Sequence, residues 1–147
     1  MCNCKENTKV IVEMEKGFED YFPKKAHVGD ACYDLYSTDS YNLYPGEHKL
    51  FHTGVHVQLP SGYELIVRGR SGMALRGIYT HVGTVDSNYR NEIGVILYNT
   101  AERPYNVNKG DRIAQMQLQK IPSYELVVGE VDENKERGNA GFGSSGK

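Results

Sequence analysis

The sequence lacks three features that mark large classes of proteins: a basic surplus, a long apolar run and a disulfide pattern. Its 147 residues carry a formal net charge of −2, whereas proteins that bind a nucleic-acid duplex need a surplus of lysine and arginine. No run approaches the ~18 apolar residues of a membrane-spanning helix, and residues 1–5 have no signal-peptide character. We therefore expect a soluble, intracellular protein of the cytoplasm or nucleus, with neither nucleic acid nor membrane as a partner.

Cysteine is also scarce. Cys2, Cys4 and Cys32 are an odd number, and Cys2 and Cys4 are too close together and too isolated to form a zinc site. We interpret all of them as free thiols. A composition of 39% apolar and 24% charged residues is ordinary for a globular chain of this length and predicts one domain with a true core.

Helix signals are nearly absent, and short alternating segments separated by turns predict an all-β fold. In residues 51–59 the apolar side chains alternate with His52 and His56, so this strand is half-buried and both histidines face solvent, without ligands nearby for a metal. We also predict strands at residues 8–14, 63–67, 92–100 and 124–131. The strand at residues 92–100 is apolar enough to be buried on both faces. The expected architecture is a jelly-roll-like antiparallel β-barrel.

The domain is expected to span residues 1–131. Residues 132–147 are charged and then rich in glycine and serine, which is typical of a mobile C-terminal tail. Repeated backbone N–H groups in such a run can also surround phosphate, so a tail that orders and closes over a ligand is the alternative.

Residues 83–94 read as a β-hairpin whose tip carries Asp86 and Tyr89. A tyrosine ring can pack against a sugar, and an aspartate can orient or deprotonate a water molecule. The alternative is that the aspartate caps its own turn and the tyrosine fills core.

Residues 68–77 are the one place where a short helix is expected. Arg70, Ser71 and Gly72 combine a cation, a hydroxyl and a permissive backbone, which suits phosphate. A solvated arginine-rich loop is the alternative.

Two further polar positions have open interpretations. Asp34 lies in an extended segment and either caps a loop or serves a site. Gln115 begins a glutamine-lined strand face after the tight turn at residues 108–111, and that face lines a polar site, a subunit contact or solvent.

Five short segments, taken together and in order, resemble the motifs of the homotrimeric dUTP pyrophosphatase (dUTPase) family. They are residues 30–35, 69–74, 83–92, 110–115 and 137–146. The resemblance covers nearly the whole chain and implies a trimeric roll of β-strands with sites between subunits and dUTP as the ligand.

The resemblance also implies roles for individual residues. Asp86 is the general base for the water that attacks the α-phosphorus, Gln115 contacts the α-phosphate or that water, and Asp34 and Asp111 support the site. Arg70 and Ser71 bind phosphate, Tyr89 packs under the deoxyribose, Arg137 reaches the γ-phosphate and Phe142 stacks on uracil. The complete set of implied substrate-binding residues is Arg70, Ser71, Gly72, Gly83, Tyr89, Arg137, Phe142, Gly143, Ser144 and Ser145. Mg²⁺ is expected through the substrate phosphates, with no direct protein ligand.

The motifs depart from the family pattern at a few positions. Cys32 stands where glycine is usual, Gly69 where proline is usual, and Asn88 and Asn91 where an acid and a glycine are usual. None of these changes removes a residue with an expected chemical role. The rival interpretations are a dCTP deaminase or bifunctional relative, a nucleotide-sensing regulator with an unknown protein partner, and a structural jelly-roll protein.

Overall fold

The computed structural model describes residues 7–133, 136–143 and 146. These residues form eleven short strands, one turn of α-helix (α1, Ser71–Ala74) and one 3₁₀ turn at Glu19–Tyr21. In chain order the strands are β1 (Ile11–Met14), β2 (Tyr33–Tyr36), β3 (Tyr41–Leu43), β4 (His48–Phe51), β5 (Val55–Gln58), β6 (Tyr63–Arg68), β7 (Ile78–Thr80), β8 (Gly83–Val85), β9 (Val95–Asn99), β10 (Tyr105–Val107) and β11 (Arg112–Lys120). The all-β expectation and the short helix are both confirmed.

The strands form a jelly-roll-like set of small sheets. A four-stranded sheet has the order β2-β11-β6-β8, a three-stranded sheet has the order β4-β9-β7, and β1-β5 and β10-β3 form pairs. Every one of these pairings is antiparallel. Strand β11 lies between β2 and β6, so Gln115 sits opposite Asp34 on one side and Arg68 on the other.

The core follows the predicted alternation, although the strand that carries it is broken. Phe51, Thr53, Val55, Val57 and Leu59 are all buried, as the pattern of residues 51–59 predicts. The predicted single strand is instead split into β4 and β5, and the chain bends where Gly54 has φ +68°. A glycine adopts this left-handed backbone without steric cost, which lets the same buried face continue into another sheet.

The hairpin predicted for residues 83–94 is wrong. Strand β8 pairs with β6 through Leu65 opposite Val85, while β9 pairs with β4 and β7 in a different sheet. The strand that ends at Val85 and the turn at the tip are confirmed, since the Tyr89 N–H donates to the Asp86 carbonyl oxygen over 3.0 Å. Apolar alternation locates a strand but does not specify its partner, and here residues 86–94 cross between sheets.

Strand β9 is buried on one face. Val95 and Leu97 are buried, but Ile96 is half-buried and Tyr98 is 39% exposed. The prediction of a strand buried on both faces is therefore wrong within one chain. On the outer face of the three-stranded sheet Leu50, Tyr79 and Tyr98 are 49%, 50% and 39% exposed.

The last predicted strand, at residues 124–131, is also wrong. This segment is irregular, and the side chains of Tyr124, Leu126 and Val128 are 74%, 89% and 107% exposed. β-branched residues favour strands, but a strand needs a partner for its backbone groups. No strand in the described part of the chain pairs with this segment.

Of the helices described, none has the length and apolar character needed to cross a membrane.

Candidate active site

Three of the sequence motifs meet at one end of the four-stranded sheet. Strands β2, β11 and β6 lie side by side, and α1 follows β6 directly. They enclose a cavity of about 420 Å³, which we call the arginine pocket. Its lining residues are Ala26, Asp30, Ala31, Cys32, Asp34, Arg70, Ser71, Gly72, Arg112 and Gln115. The pocket therefore gathers five of the predicted site residues.

Asp34 organises the charges of the arginine pocket. Its carboxylate lies 3.9 Å from Arg70 Nε and 3.6 Å from Arg112 Nη1, and its side chain is 13% exposed. Arg70 Nη1 also donates to the Arg112 carbonyl oxygen over 2.8 Å. One carboxylate thus lies at ion-pair distance from two guanidinium groups and offsets part of their positive charge. Cys32, which stands where glycine is usual in the family pattern, lines the wall of the arginine pocket.

Gln115 and the start of α1 complete this wall. Gln115 Nε2 donates to the Gly69 carbonyl oxygen over 2.9 Å, which ties β11 to the loop before the helix. Ser71 and Gly72 are the first residues of α1 and are exposed. Backbone N–H groups in the first turn of a helix have no intrahelical acceptor. The pocket thus combines guanidinium, hydroxyl, amide and backbone donors, a set suited to phosphate oxygens.

Residues 83–92, the third of the five motifs, contribute to a different cavity. Tyr89 and Gly83 lie on the wall of a space of about 260 Å³, which we call the tyrosine pocket. Its lining residues are Leu50, His52, Val67, His81, Gly83, Tyr89, Glu92, Gly94 and Ile96. The Tyr89 ring is 38% exposed and its hydroxyl donates to the Glu92 carbonyl oxygen over 2.8 Å. A fixed, half-exposed ring of this kind can pack against a flat ligand.

Asp86 is exposed at the end of β8, where the turn of residues 86–89 begins. Its carbonyl oxygen accepts the turn hydrogen bond, and Arg90 Nη1 donates to the carbonyl oxygens of Ser87 and Tyr89 over 2.7 and 3.0 Å. The loop is therefore held by one backbone hydrogen bond and by the Arg90 side chain, and the Asp86 residue is exposed to solvent.

The arginine pocket and the tyrosine pocket have no lining residue in common. In one chain Tyr89 and Gly83 therefore line one cavity, and Arg70, Ser71 and Gln115 line another.

The remaining predicted residues that the structure describes, including Asp86, line neither pocket. Asp111 Oδ2 accepts from the Asn108 N–H over 2.8 Å and closes the turn before β11. Arg137 Nε donates to the Ala140 carbonyl oxygen over 3.0 Å. Phe142 is fully exposed, Gly143 follows it in a left-handed conformation, and neither they nor Arg137 line the arginine or the tyrosine pocket. Ser144 and Ser145 lie outside the described residues.

Sequence reasoning missed the contacts that anchor the third motif. His52 is half-exposed, as predicted, but its Nδ1 lies 2.8 Å from Glu92 Oε2. His56 Nδ1 donates to the Arg90 carbonyl oxygen over 2.9 Å, and its Nε2 lies 3.1 Å from Glu15 Oε1. Polar residues on the outer face of a strand show that the strand is half-buried, but not which distant loop they bind.

These contacts shift the pKa values of the groups involved. The hydrogen bond to Glu92 and the negative charge of Glu92 raise the pKa of His52. The Arg90 carbonyl and then Glu15 raise the pKa of His56. Burial favours the neutral form of Glu92, but hydrogen bonds from the Gly54 N–H, His52 and the Thr53 N–H outweigh it and lower the pKa of that carboxyl group.

The shift at His56 predicts a pH-dependent stability. Because folding raises the pKa of His56, the protonated side chain stabilises the folded state. This contribution to the free energy of unfolding is fully present below the unfolded-state pKa of about 6.5, and it is lost as pH rises through the folded-state pKa. We expect the Tm difference between the wild-type chain and His56→Gln to be largest at about pH 6 and to shrink towards about pH 9. Glu15→Gln should reduce this pH dependence, and a difference that stays constant with pH would contradict the assignment.

Residues 20–146 match the family model of dUTPase. The chain belongs to the dUTPase family. The match includes all five segments that resemble dUTPase motifs, and it extends through both pockets and the tail.

Curated relatives agree over most of their length. The deoxyuridine 5'-triphosphate nucleotidohydrolase of Clostridium novyi is 46% identical over 143 residues, which cover 94% of this chain and 99% of the relative. The enzyme of the same name from Mycobacterium bovis is 43% identical over 148 residues, covering 95% of each chain. These relatives do not favour the dCTP deaminase or regulator alternatives.

Solved dUTPase structures share the fold. The dUTPase of Staphylococcus bacteriophage 80alpha in complex with dUpNHpp superposes with a TM-score of 0.83 at 28% identity, covering 95% of this chain and 99% of the phage chain. The dUTPase of the S. aureus phage phi11, which coordinates a structural Mg(II) ion, has a TM-score of 0.74 at 24% identity and covers 84% and 97%.

Proposed function

We propose that this dUTPase hydrolyses dUTP to dUMP and pyrophosphate, with Asp86 as the general base that activates a water for attack on the α-phosphorus. The reaction limits the incorporation of uracil into DNA and supplies dUMP. The observation that carries the proposal is the register of β2, β11 and β6, which unites Asp34, Arg70 and Gln115 in the arginine pocket.

The triphosphate occupies the arginine pocket in this proposal. Arg70 and Ser71 bind phosphate oxygens, the backbone at Gly72 allows close approach, and Gln115 contacts the α-phosphate or the attacking water. Arg112, which sequence reasoning did not assign, shares the Asp34 carboxylate with Arg70 and adds a second cation. Asp34 and, through the turn before β11, Asp111 act as supports.

The nucleoside occupies the tyrosine pocket. The deoxyribose packs on the Tyr89 ring, where a 2'-hydroxyl would clash, and backbone groups around His81 and Gly83 read the uracil edge. This assignment is supported by the hydrogen bond that fixes the Tyr89 hydroxyl and by the position of Gly83 on the same wall.

In this proposal a complete site combines the arginine pocket of one chain with the tyrosine pocket of another, and the separation of the two cavities within one chain supports it. We therefore assign the functional unit as a homotrimer, the number that the family resemblance implies. The exposed apolar side chains of residues 124–131 and the open face of β9 supply surface for contacts between chains. Subunits that each contribute a different motif to a shared site fit a closed symmetric assembly.

Residues 132–147 form the closing tail in this proposal. Arg137 reaches the γ-phosphate, Phe142 stacks on uracil, and the run of Gly143, Ser144 and Ser145 places backbone N–H groups near phosphate. The exposure of Phe142 supports the assignment, since an apolar ring that no described residue covers is available for a ligand.

In this proposal Mg²⁺ is held by the phosphate oxygens of the substrate and not by protein side chains. Among the described residues no group of three or more His, Cys, Asp or Glu side chains is placed to hold a metal ion, and Asp34 is already paired with two arginines. The arginine pocket would hold the triphosphate, whose oxygens and water chelate the ion. Bound there, Mg²⁺ would offset negative charge on the phosphates. A deoxynucleoside triphosphate substrate also supports the expectation of an intracellular enzyme.

The assembly is tested by sedimentation. We expect a trimer at catalytic concentrations, because each site needs the pockets of different chains. Activity should fall together with trimer content on dilution. A stable monomer with full activity would contradict the shared site.

The reaction is tested by pyrophosphate release from dUTP, dTTP, dCTP and UTP in the presence of Mg²⁺. We expect rapid release from dUTP alone, because in this proposal the nucleoside pocket is too narrow for the thymine methyl group and the Tyr89 ring excludes the 2'-hydroxyl. Release of both ammonia and pyrophosphate from dCTP would instead support the bifunctional alternative.

A further inference from the structure

Glu92 has no assigned role, yet its carboxylate is the best-satisfied acidic group near the tyrosine pocket. Oε1 accepts from the Thr53 N–H over 2.9 Å and from the Gly54 N–H over 2.7 Å, and Oε2 lies 2.8 Å from His52 Nδ1. The Glu92 side chain is 19% exposed, and both Thr53 and Gly54 are buried. The carboxylate therefore fastens residue 92 to the bend between β4 and β5.

The backbone of the same residue holds the Tyr89 ring. The Tyr89 hydroxyl donates to the Glu92 carbonyl oxygen over 2.8 Å. The backbone of the next residue, Ile93, makes two hydrogen bonds to residues 53–55. Its N–H donates to the Val55 carbonyl oxygen over 2.8 Å, and its carbonyl oxygen accepts from Thr53 Oγ1 over 2.5 Å. The chain of contacts from the buried core to the ring thus passes through Glu92.

We propose that Glu92 is a positioning residue that sets the location of the Tyr89 ring and thereby the discrimination between deoxyribose and ribose. The inference rests on the proposed dUTPase reaction, in which this ring packs under the sugar. Repulsion rises steeply as atoms come within van der Waals distance, so exclusion of one hydroxyl group requires a ring that cannot retreat. The Glu92 contacts prevent that retreat.

A purely structural role for Glu92 has a different signature. Loss of the carboxylate leaves two buried N–H groups without their acceptor, which lowers stability in either case. Only the positioning role changes the ratio of kcat/KM for dUTP to that for UTP.

The experiment measures this ratio and the Tm for full-length wild-type protein, Glu92→Ala and Glu92→Gln, with Mg²⁺. In Glu92→Ala we expect the ratio to fall by about tenfold or more, through a higher KM for dUTP and relatively better use of UTP, the scale of effect typical of altered pocket contacts. Glu92→Gln keeps an oxygen acceptor for the Thr53 and Gly54 N–H groups and should restore most of the selectivity.

Glu47→Ala is the matched control. The Glu47 carboxylate likewise accepts from a backbone N–H, that of Tyr44, and from the Tyr41 hydroxyl, but it lines neither pocket. This variant should lower the Tm and leave the dUTP to UTP ratio unchanged.

Tyr89→Phe provides a second route if Glu92→Ala does not fold. It keeps the ring and removes only its tether to the Glu92 carbonyl oxygen, so the ratio should fall. An unchanged ratio in Tyr89→Phe, or in a folded Glu92→Ala with a reduced Tm, would overturn the positioning role. Wild-type protein that does not hydrolyse dUTP would instead overturn the proposed reaction, so the two failures are distinct.

Discussion

Asp86→Asn should bind dUTP normally and lose turnover by ~10²-fold or more, the usual contribution of a positioned general base. Asparagine has nearly the same shape as aspartate but cannot accept a proton from water. The turn that carries the residue should survive the change, because it depends on the Asp86 carbonyl oxygen and not on the carboxylate. The expected result is a lower kcat with an unaltered dissociation constant for a non-hydrolysable dUTP analogue.

Asp20→Asn serves as the control for this variant. Asp20 is exposed in the 3₁₀ turn and lines neither pocket, so the same chemical change there should leave kcat and KM unchanged. An Asp86→Asn protein that binds the analogue and turns over dUTP at the wild-type rate would remove Asp86 from the mechanism.

Deletion of residues 137–147 should abolish most of the activity while the fold remains intact. The described residues of this segment lie outside the core, and all but half-buried Gly141 are exposed, with the Phe142 ring fully so. Their loss should therefore change the Tm little. In the proposed mechanism the same residues bring a cation to the γ-phosphate, a ring to uracil and a cover that excludes bulk water, so truncation removes positioning and charge stabilisation together.

Phe142→Ala should be a milder form of the truncation. Loss of base-aromatic stacking costs on the order of 1–3 kcal/mol, so kcat/KM for dUTP should fall while the Tm stays constant. The informative measurements are steady-state hydrolysis and thermal melting of full-length, truncated and Phe142→Ala proteins, each with and without the non-hydrolysable analogue. The analogue should raise the Tm of the full-length protein more than that of the truncated one.

A truncated protein with a normal Tm and the full rate of dUTP hydrolysis would show that residues 137–147 take no part in the reaction. A truncated protein with a much lower Tm would contradict the expectation that the segment adds nothing to the core.

Local patterns in the sequence were sufficient for several elements. Alternation identified the buried face formed by Phe51, Val55 and Leu59. The tight turn predicted at residues 108–111 is closed by a hydrogen bond from the Asp111 N–H to the Asn108 carbonyl oxygen. The short helix at Ser71–Ala74 and the five motifs of the dUTPase family were also predicted. All of these depend on residues within about ten positions of one another, where backbone preferences and side-chain periodicity act directly.

Pairing across the chain was decided only in the tertiary structure. The sequence of residues 83–94 suggested a hairpin, but β8 found its partner in β6, and residues 124–131 had strand-forming side chains without a partner in the described chain. The binding of His52 to Glu92 joins residues 40 positions apart, and the separation of the arginine and tyrosine pockets depends on how two sheets are placed. A strand's pattern shows that one face must be buried, whereas its partner is chosen by the competition among all available edges. That competition depends on the whole chain and, for the open edges and exposed apolar surface here, on neighbouring subunits in the proposed trimer.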